Sequence, residues 1–315
     1  MGASLLPEPS LDVFRPPGAA PAQGLCVLAA VAASPAGTHA AWRAALVARD
    51  RGAALHLLSV QADARELDAA DAALQELAAH VQQRLLVPTT ATAAAGRLCD
   101  RLAELAAGAG LVVLPWTAGR ALPNLLLGSL PERVFRALPL PLPVLVVRRP
   151  ALASYRRVLV PVKLDADAVL LIAAARSVSR DPRMRVFHVL DTAQEGSLRL
   201  AGTSERALRL QRHRRSRTAY ATLNGLIAAA GAPEAAAALV SWGHVPARVL
   251  EIARSGDTQL IVAGKERSSL LADLFFGGIT QRLLCAAQSD LLVLPGPERS
   301  PVARWETVRG PCPVA

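Results

Sequence analysis

One loop in the chain has the composition of an anion-binding site: GKERSSLLADLFFGGITQRLL, residues 264–284. Gly264 opens it and the pair Gly277-Gly278 closes it. Glycine lets backbone N–H groups approach phosphate oxygens closely, and a helix starting near Gly278 would add the partial positive charge of its N-terminus. Lys265 and Arg267 in the loop, with Lys163 elsewhere in the chain, offer charge-assisted contacts to the same anion. Arg267 stands where a further glycine would serve the backbone better, because a side chain adds bulk and disfavours positive φ.

No other residues have the spacing of a catalytic or metal centre. The six histidines show no ligand pattern. His188 in VFHVLD and His244 in GHVP read as structural residues, with no nucleophile paired to either. Asp165 and Asp167 are expected to cap the helix that follows them. The four cysteines, Cys26, Cys99, Cys285 and Cys312, lack C-x-x-C spacing, which argues against a zinc site or a disulfide framework and fits a reducing cytoplasm. No G-x-S-x-G elbow, kinase motif set or complete Walker loop occurs. The expected catalytic set is therefore empty, as is the metal set, and the expected function is not enzymatic.

The elements that must position the loop come in two sets. VLAAVA at 27–32 is echoed by VLVPVK at 158–163, AAGAGLVVLPW at 106–116 by RSGDTQLIVAGK at 254–265, and the segment at 125–147 by that at 274–294. The offset grows from 131 residues to 149, so the second copy carries about 18 extra residues between His188 and Val240. Short apolar runs with little alternation predict parallel strands near 25–32, 54–60, 84–88, 111–115 and 143–148, then near 157–163, 185–190, 237–241, 259–263 and 290–294. Helical spacing lies between them, as at Val169, Ile172 and Ala173. This alternation argues for an α/β fold of two tandem doubly wound parallel sheets. The expected organisation is a flexible tail at 1–23, a first domain at 24–149, a linker at 148–157, a second domain at 156–296 and a tail at 297–315. The chain has 315 residues, 52% of them hydrophobic, enough for two cores.

These residues resemble the universal stress protein family, two domains of it in one chain. The segment 260–295 and SWGHVPARVLEIA at 241–253 carry the resemblance in the second copy; LLLGSLPERVFR and PVLVVR carry it less fully in the first. The resemblance implies a Rossmann-like, adenine nucleotide alpha hydrolase-like fold, a role in the cellular stress response, and association through the last strand of each domain. The edges at 144–147 and 291–294 are thus expected to pair within the chain, with a homo-oligomer as a further option. In members that hold ATP, the family pattern is Gly, two residues, Gly, nine residues, Gly and Ser or Thr, with an acidic residue after the first strand.

Both copies depart from that pattern. The second keeps Gly264 and Gly277, has Arg267 as its middle glycine, Gly278 in the Ser/Thr place, and Lys163 in the acidic place behind a fitting Pro161. The first keeps only Gly128-Ser129; its first glycine is Pro115, its middle one Ala118 and its acidic place Ala32. The expectation is a degenerate pocket in which ATP or AMP binds weakly or not at all. The alternative is a working ATP or AMP switch in the second domain.

The extra residues suggest a basic helical insertion at 204–231. It contains Arg206, Arg209, Arg212, Arg214, Arg215 and Arg217, with Ser204 and Glu205 as cap-like residues. Leu208, Leu210, Tyr220, Leu223 and Ile227 are expected to form its buried stripe. A solvated face is the plain reading. Partner contact through Arg206, Arg209, Arg212 and Arg215 is the alternative, with an unknown protein expected ahead of nucleic acid. The formal charge of +10 reflects an arginine-rich composition, lysine occurring only at 163 and 265. No run reaches the ~18–20 apolar residues needed to span a bilayer. The N-terminal stretch lacks a basic n-region and Leu6 spoils a myristoylation signal. A cytoplasmic protein without membrane contact is expected.

Overall fold

Five apolar runs in each half become short strands that bury both faces. The computed structural model describes residues 26–116, 130–138, 142–192, 200, 202–264 and 278–295. In the first half these are β1 (Cys26–Ala30), β2 (Ala54–Gln61), β3 (Thr89–Ala95), β4 (Leu111–Pro115) and β5 (Val144–Val147). In the second they are β6 (Arg157–Pro161), β7 (Arg183–Leu190), β8 (Ala236–Trp242), β9 (Leu260–Gly264) and β10 (Asp290–Leu294). Eight described helices accompany them: α1 (Pro35–Arg51), α2 (Leu67–Leu85), α3 (Leu98–Leu105), α4 (Leu130–Ala137), α5 (Asp167–Ser177), α6 (Glu205–Ala229), α7 (Val245–Ser255) and α8 (Gly278–Ala286).

All ten strands lie in one sheet, ordered β3-β2-β1-β4-β5-β10-β9-β6-β7-β8. Each half repeats the same order outward from the seam. Every described pairing is parallel except β5 with β10, where Val146 faces Leu291, Leu145 faces Leu292 and Val144 faces Val293, antiparallel. Two apolar edges that would each be an association hazard thus cover one another. Alternate residues feed opposite faces. Val27 and Ala29 join a core with α1, α2, α5 and α6, while Leu28 and Ala30 join a core with α3, α4, α7 and α8. The result is a three-layer α/β/α architecture.

Local chemistry sets the helix ends. Ser34 caps α1, its Oγ accepting from Gly37 N at 3.2 Å, and Pro35 supplies the first helical residue. Gly52, at φ 64°, closes α1 in the left-handed region. Asp165 and Asp167 do not cap α5 as expected: the N-cap is Ala166, with no side-chain bond, and Asp167 sits in the first turn, where its charge favours the helix dipole.

The third strand is at Thr89–Ala95, not 84–88. The apolar Leu85 and Leu86 belong to the end of α2, and Leu86 adopts φ 55° as its C-cap. The TTATAAA that follows is an edge strand, half-buried and low in large apolar residues, so it carries little strand signal. The basic segment falls on a helix that both halves have and that is longer in the second. α6 is the crossover helix between β7 and β8, the counterpart of α2, with 25 residues against 19.

A buried polar cluster locks the seam. Asp290, at the start of β10, is fully buried. Its Oδ1 accepts from the backbone N–H of Arg148 at 2.7 Å and of Arg149 at 3.0 Å, and its Oδ2 accepts from Tyr155 Oη at 2.6 Å. Arg43 of α1 brings Nε to 3.3 Å from Oδ2, an ion pair without hydrogen-bond alignment. The same guanidinium lies 4.0 Å from the Tyr155 ring centroid and donates to Ala153 O at 2.7 Å. Residues 148–157 are therefore a packed joint as well as a connection. Burial pushes the Tyr155 phenol well above its ordinary range, Arg43 opposing and Asp290 adding to the shift.

Candidate functional site

Parallel strands collect their C-terminal ends along one edge, where α/β sheets hold ligands. In the second half, β6 and β9 are neighbours, with Leu159 beside Ile261, so their ends bring Pro161, Lys163 and Gly264 to the same edge. Pro161 is half-buried at the end of β6. Val162 N–H donates to Phe187 O at 2.9 Å, and its carbonyl accepts from His188 Nδ1 at 2.9 Å. His188 is thus a strut for the turn, as its isolation in the sequence suggested. Lys163, just beyond, is exposed.

Gly264 ends β9 opposite Leu294. Among the described residues a Cβ placed on it would come nearest Leu171, with Cδ2 at 3.5 Å, an ordinary contact, so their packing does not demand glycine there. Gly278 is the first residue of α8. Lys265, Arg267, Gly277, Gly128 and Ser129 lie outside the described residues.

The corresponding edge of the first half is described at Ala32, Pro115 and Trp116. A Cβ on Gly37 would sit 2.1 Å from Ala32 O, so the first turn of α1 rests directly on the backbone after β1. Pro115 ends β4 opposite Val147, and Trp116 N–H donates to Val147 O at 2.7 Å. The Arg148 guanidinium lies 3.7 Å from the centroid of the Trp116 ring and donates to Leu284 O of α8. Burial lowers the Arg148 pKa from its ordinary value, with Asp290 opposing the shift.

The place of an acidic acceptor holds Ala32 in one half and Lys163 in the other, and the end of β4 is covered by an indole stacked under a guanidinium.

A paired feature escaped the sequence reading. Gly96 and Gly243, at φ 121° and 131°, follow the edge strands and donate N–H to Gln61 O and Leu190 O, each at 3.0 Å. Five residues on, Arg101 donates to Glu104 at 2.7 Å and Arg248 to Glu251 at 2.5 Å. Arg101 Nε also reaches Ala95 O at 3.2 Å, and Arg248 reaches Ser241 Oγ at 2.7 Å. The signal was a shared Gly, four residues, Arg, two residues, Glu. His244 stands beside this unit, accepting from Arg282 Nη1 through Nε2 at 3.2 Å.

The arginines of α6 divide into two groups. Arg206, Arg209, Arg214 and Arg217 are exposed, whereas Arg212 and Arg215 are half-buried over Trp242, 5.7 and 4.9 Å from its ring centroid. Trp242 Nε1 donates to Ser216 Oγ at 3.1 Å. Arg212 and Arg215 are therefore anchors, not parts of a free face as expected. The stripe is also corrected: Leu208, Ala219, Leu223 and Ile227 are buried, while Leu210 and Tyr220 are exposed. The helix rotates about its axis so that small Ala219, not bulky Tyr220, meets the sheet. Ser204 does cap it, Oγ accepting from Ala207 N at 3.3 Å.

Among the described residues no helix is long and apolar enough to cross a membrane, and no group of three or more His, Cys, Asp or Glu is arranged for a metal.

Residues 154–295 match the family model described as the universal stress protein family. A functionally unknown protein from Pseudomonas aeruginosa PAO1 superposes with a TM-score of 0.61 at 20% identity, covering 89% of this chain and 95% of that one. A putative universal stress protein from Pseudomonas aeruginosa UCBPP-PA14 gives the same score and identity over 89% and 96%. A universal stress protein from Archaeoglobus fulgidus DSM 4304 gives 0.60 at 13% identity over 86% and 98%. These likenesses show the fold across both halves. No curated protein matches the chain.

Proposed function

We propose that this chain is a tandem stress-response protein of universal stress type, built from two such domains at about 24–149 and 156–296, which acts without catalysis and with a degenerate nucleotide pocket. The observation that carries the reading is the contrast at the strand ends, within a fold shared by known family members. The first half closes its edge with Gly37 against Ala32 and with Trp116 under Arg148, and the second places Lys163 where an acceptor would be needed. Partner contact replaces turnover as the working mode, and the cytoplasm is the compartment this implies.

Calorimetric titration with Mg-ATP tests it. The expected result is no saturation at low micromolar concentration; a Kd on the order of 1 μM or tighter overturns the reading. A second reading, an ATP or AMP switch in the second half, is favoured by one observation: Gly264 is glycine where the described residues leave room for a Cβ, as a close ligand approach would require. Nucleotide released from protein purified without added ligand, and lost in a Gly264→Val variant, would select that switch.

A further inference from the structure

We propose that the outer face of α6 binds nucleic acid through the phosphate backbone, without reading sequence. Arg206, Arg209, Arg214 and Arg217 are all exposed on this helix. No aspartate or glutamate occurs between Glu205 and Glu234 to neutralise them, and among the described residues no carboxylate pairs with any of the four. At 3.6 residues per turn Arg206, Arg214 and Arg217 fall, with His213, on the side away from the buried Leu208, Ala219 and Leu223, while Arg209 lies at the border of that face, at the angle of Ile227 but exposed. Arg206 and Arg217 are about 16 Å apart along the axis at the α-helical rise. A duplex presents about one charge per 1.7 Å, so a face of that length meets several phosphates at once.

The array is held rigidly. Arg212 and Arg215 over Trp242, and the Trp242–Ser216 hydrogen bond, fasten the middle of the helix to the sheet edge. Less side-chain and backbone freedom is then lost on binding. The same anchoring excludes a membrane surface, since the apolar stripe that would enter the lipid interface is already buried against the sheet. An acidic protein is the poorer fit. Protein interfaces centre on a desolvated apolar or aromatic patch, and the exposed large apolar side chains of α6 are only Leu210 and Tyr220. Guanidinium forks match phosphate bidentately. With Tyr220 the one aromatic on the face, no track for base stacking exists, which is why sequence goes unread. The counterpart helix of the first half, α2, carries Asp68, Asp71 and Glu76 and has no such face.

Fluorescence anisotropy of the full chain with labelled single strands and duplexes of unrelated sequence tests the proposal. Binding in the range of roughly 10⁻⁴–10⁻⁶ M at physiological salt is expected, indifferent to sequence, with log K falling against log salt at a slope near −3.6 for four phosphate contacts on a duplex. The R206E/R209E/R214E/R217E variant should lose that binding at least tenfold. The matching four-lysine variant should retain it, and a four-glutamine variant, which cannot introduce repulsion, should lose it while keeping the unfolding temperature. Binding undiminished in the glutamine and glutamate variants overturns the proposal. So does tighter binding to polyglutamate, or to phosphatidylserine vesicles, than to nucleic acid.

Discussion

The two halves of the sheet share their strand order and their Gly–Arg–Glu elements, yet differ at the strand ends and on the crossover helix between their second and third strands. In the first half the ends are filled: Gly37 seats α1 on Ala32, and Trp116 lies under Arg148. In the second the ends carry Lys163 and Gly264, and the crossover helix is an arginine-studded α6 in place of a mixed-charge α2. What the halves keep in common positions strands. Outside the seam, what they do not share lies at the strand ends and on the outer crossover helix. On the proposed reading the shared scaffold divides into a mechanical half and a contact half, and the clearest breach of symmetry is at the seam between them. There Asp290 opens β10 where Pro143 precedes β5.

That seam should give the largest effect. Asp290→Ala removes the acceptor of Tyr155, of two backbone N–H groups and of the buried Arg43. Breaking a buried pair by deleting one partner costs about 3–5 kcal/mol, and denaturant unfolding should register a loss of that size. Pro143→Ala in the first half should cost far less. Equal costs would mean that the seam is held by its β5–β10 pairing alone.

The strand-end turns give the next test. Gly37 corresponds to Ala168, a buried alanine at the same offset from Val158 as Gly37 is from Val27. Gly37→Ala forces a Cβ against Ala32 O, and overpacking of this kind costs about 1–3 kcal/mol. The reciprocal Ala168→Gly should cost only the helix-propensity difference, about 1 kcal/mol. A neutral Gly37→Ala in thermal unfolding would show that the first-half turn is no tighter than the second.

Much of this organisation was legible in sequence because parallel strands buried on both faces are nearly continuous apolar runs. Nine of the ten strands fall close to where those runs lie, and the two apolar terminal strands announced their own pairing. β3 was displaced because TTATAAA is an edge with little to bury, while the louder Leu85-Leu86 ended a helix. The rotation of α6 was hidden because periodicity does not distinguish a stripe through Tyr220 from one through Ala219. The Asp290 cluster could not be read at all: Arg43, Tyr155 and Asp290 are distant in sequence, and a lone aspartate opening a strand resembles any turn residue. At the strand ends the substitutions Ala32 and Lys163 were visible, but the stacking of Trp116 and Arg148 needed coordinates.

The seam also has a pH signature. The Tyr155 pKa is raised above the ordinary 10 when folded, so at alkaline pH the unfolded chain has lost a proton that the folded one keeps. Its contribution is full below about pH 10. It declines as pH rises through the window between the unfolded and folded pKa, at no more than about 1.4 kcal/mol per pH unit. Tyr155→Phe should flatten the alkaline limb of the stability curve. An unaltered limb in Tyr155→Phe would place the alkaline titration elsewhere.

The smallest expected effect lies where the crossover helices differ. Trp242 fastens α6 from the end of β8, and Ala95 holds the matching place at the end of β3. Trp242→Phe keeps an aromatic face for Arg212 and Arg215 but removes the donor to Ser216 Oγ, for which about 0.5–1.5 kcal/mol is typical. The loss should be local. Amide exchange should quicken in the middle of α6, near Ser216, and remain as it was in α2 and at the β5–β10 seam. If exchange quickens across both halves instead, Trp242 supports the whole sheet, and the division between a mechanical half and a contact half is wrong.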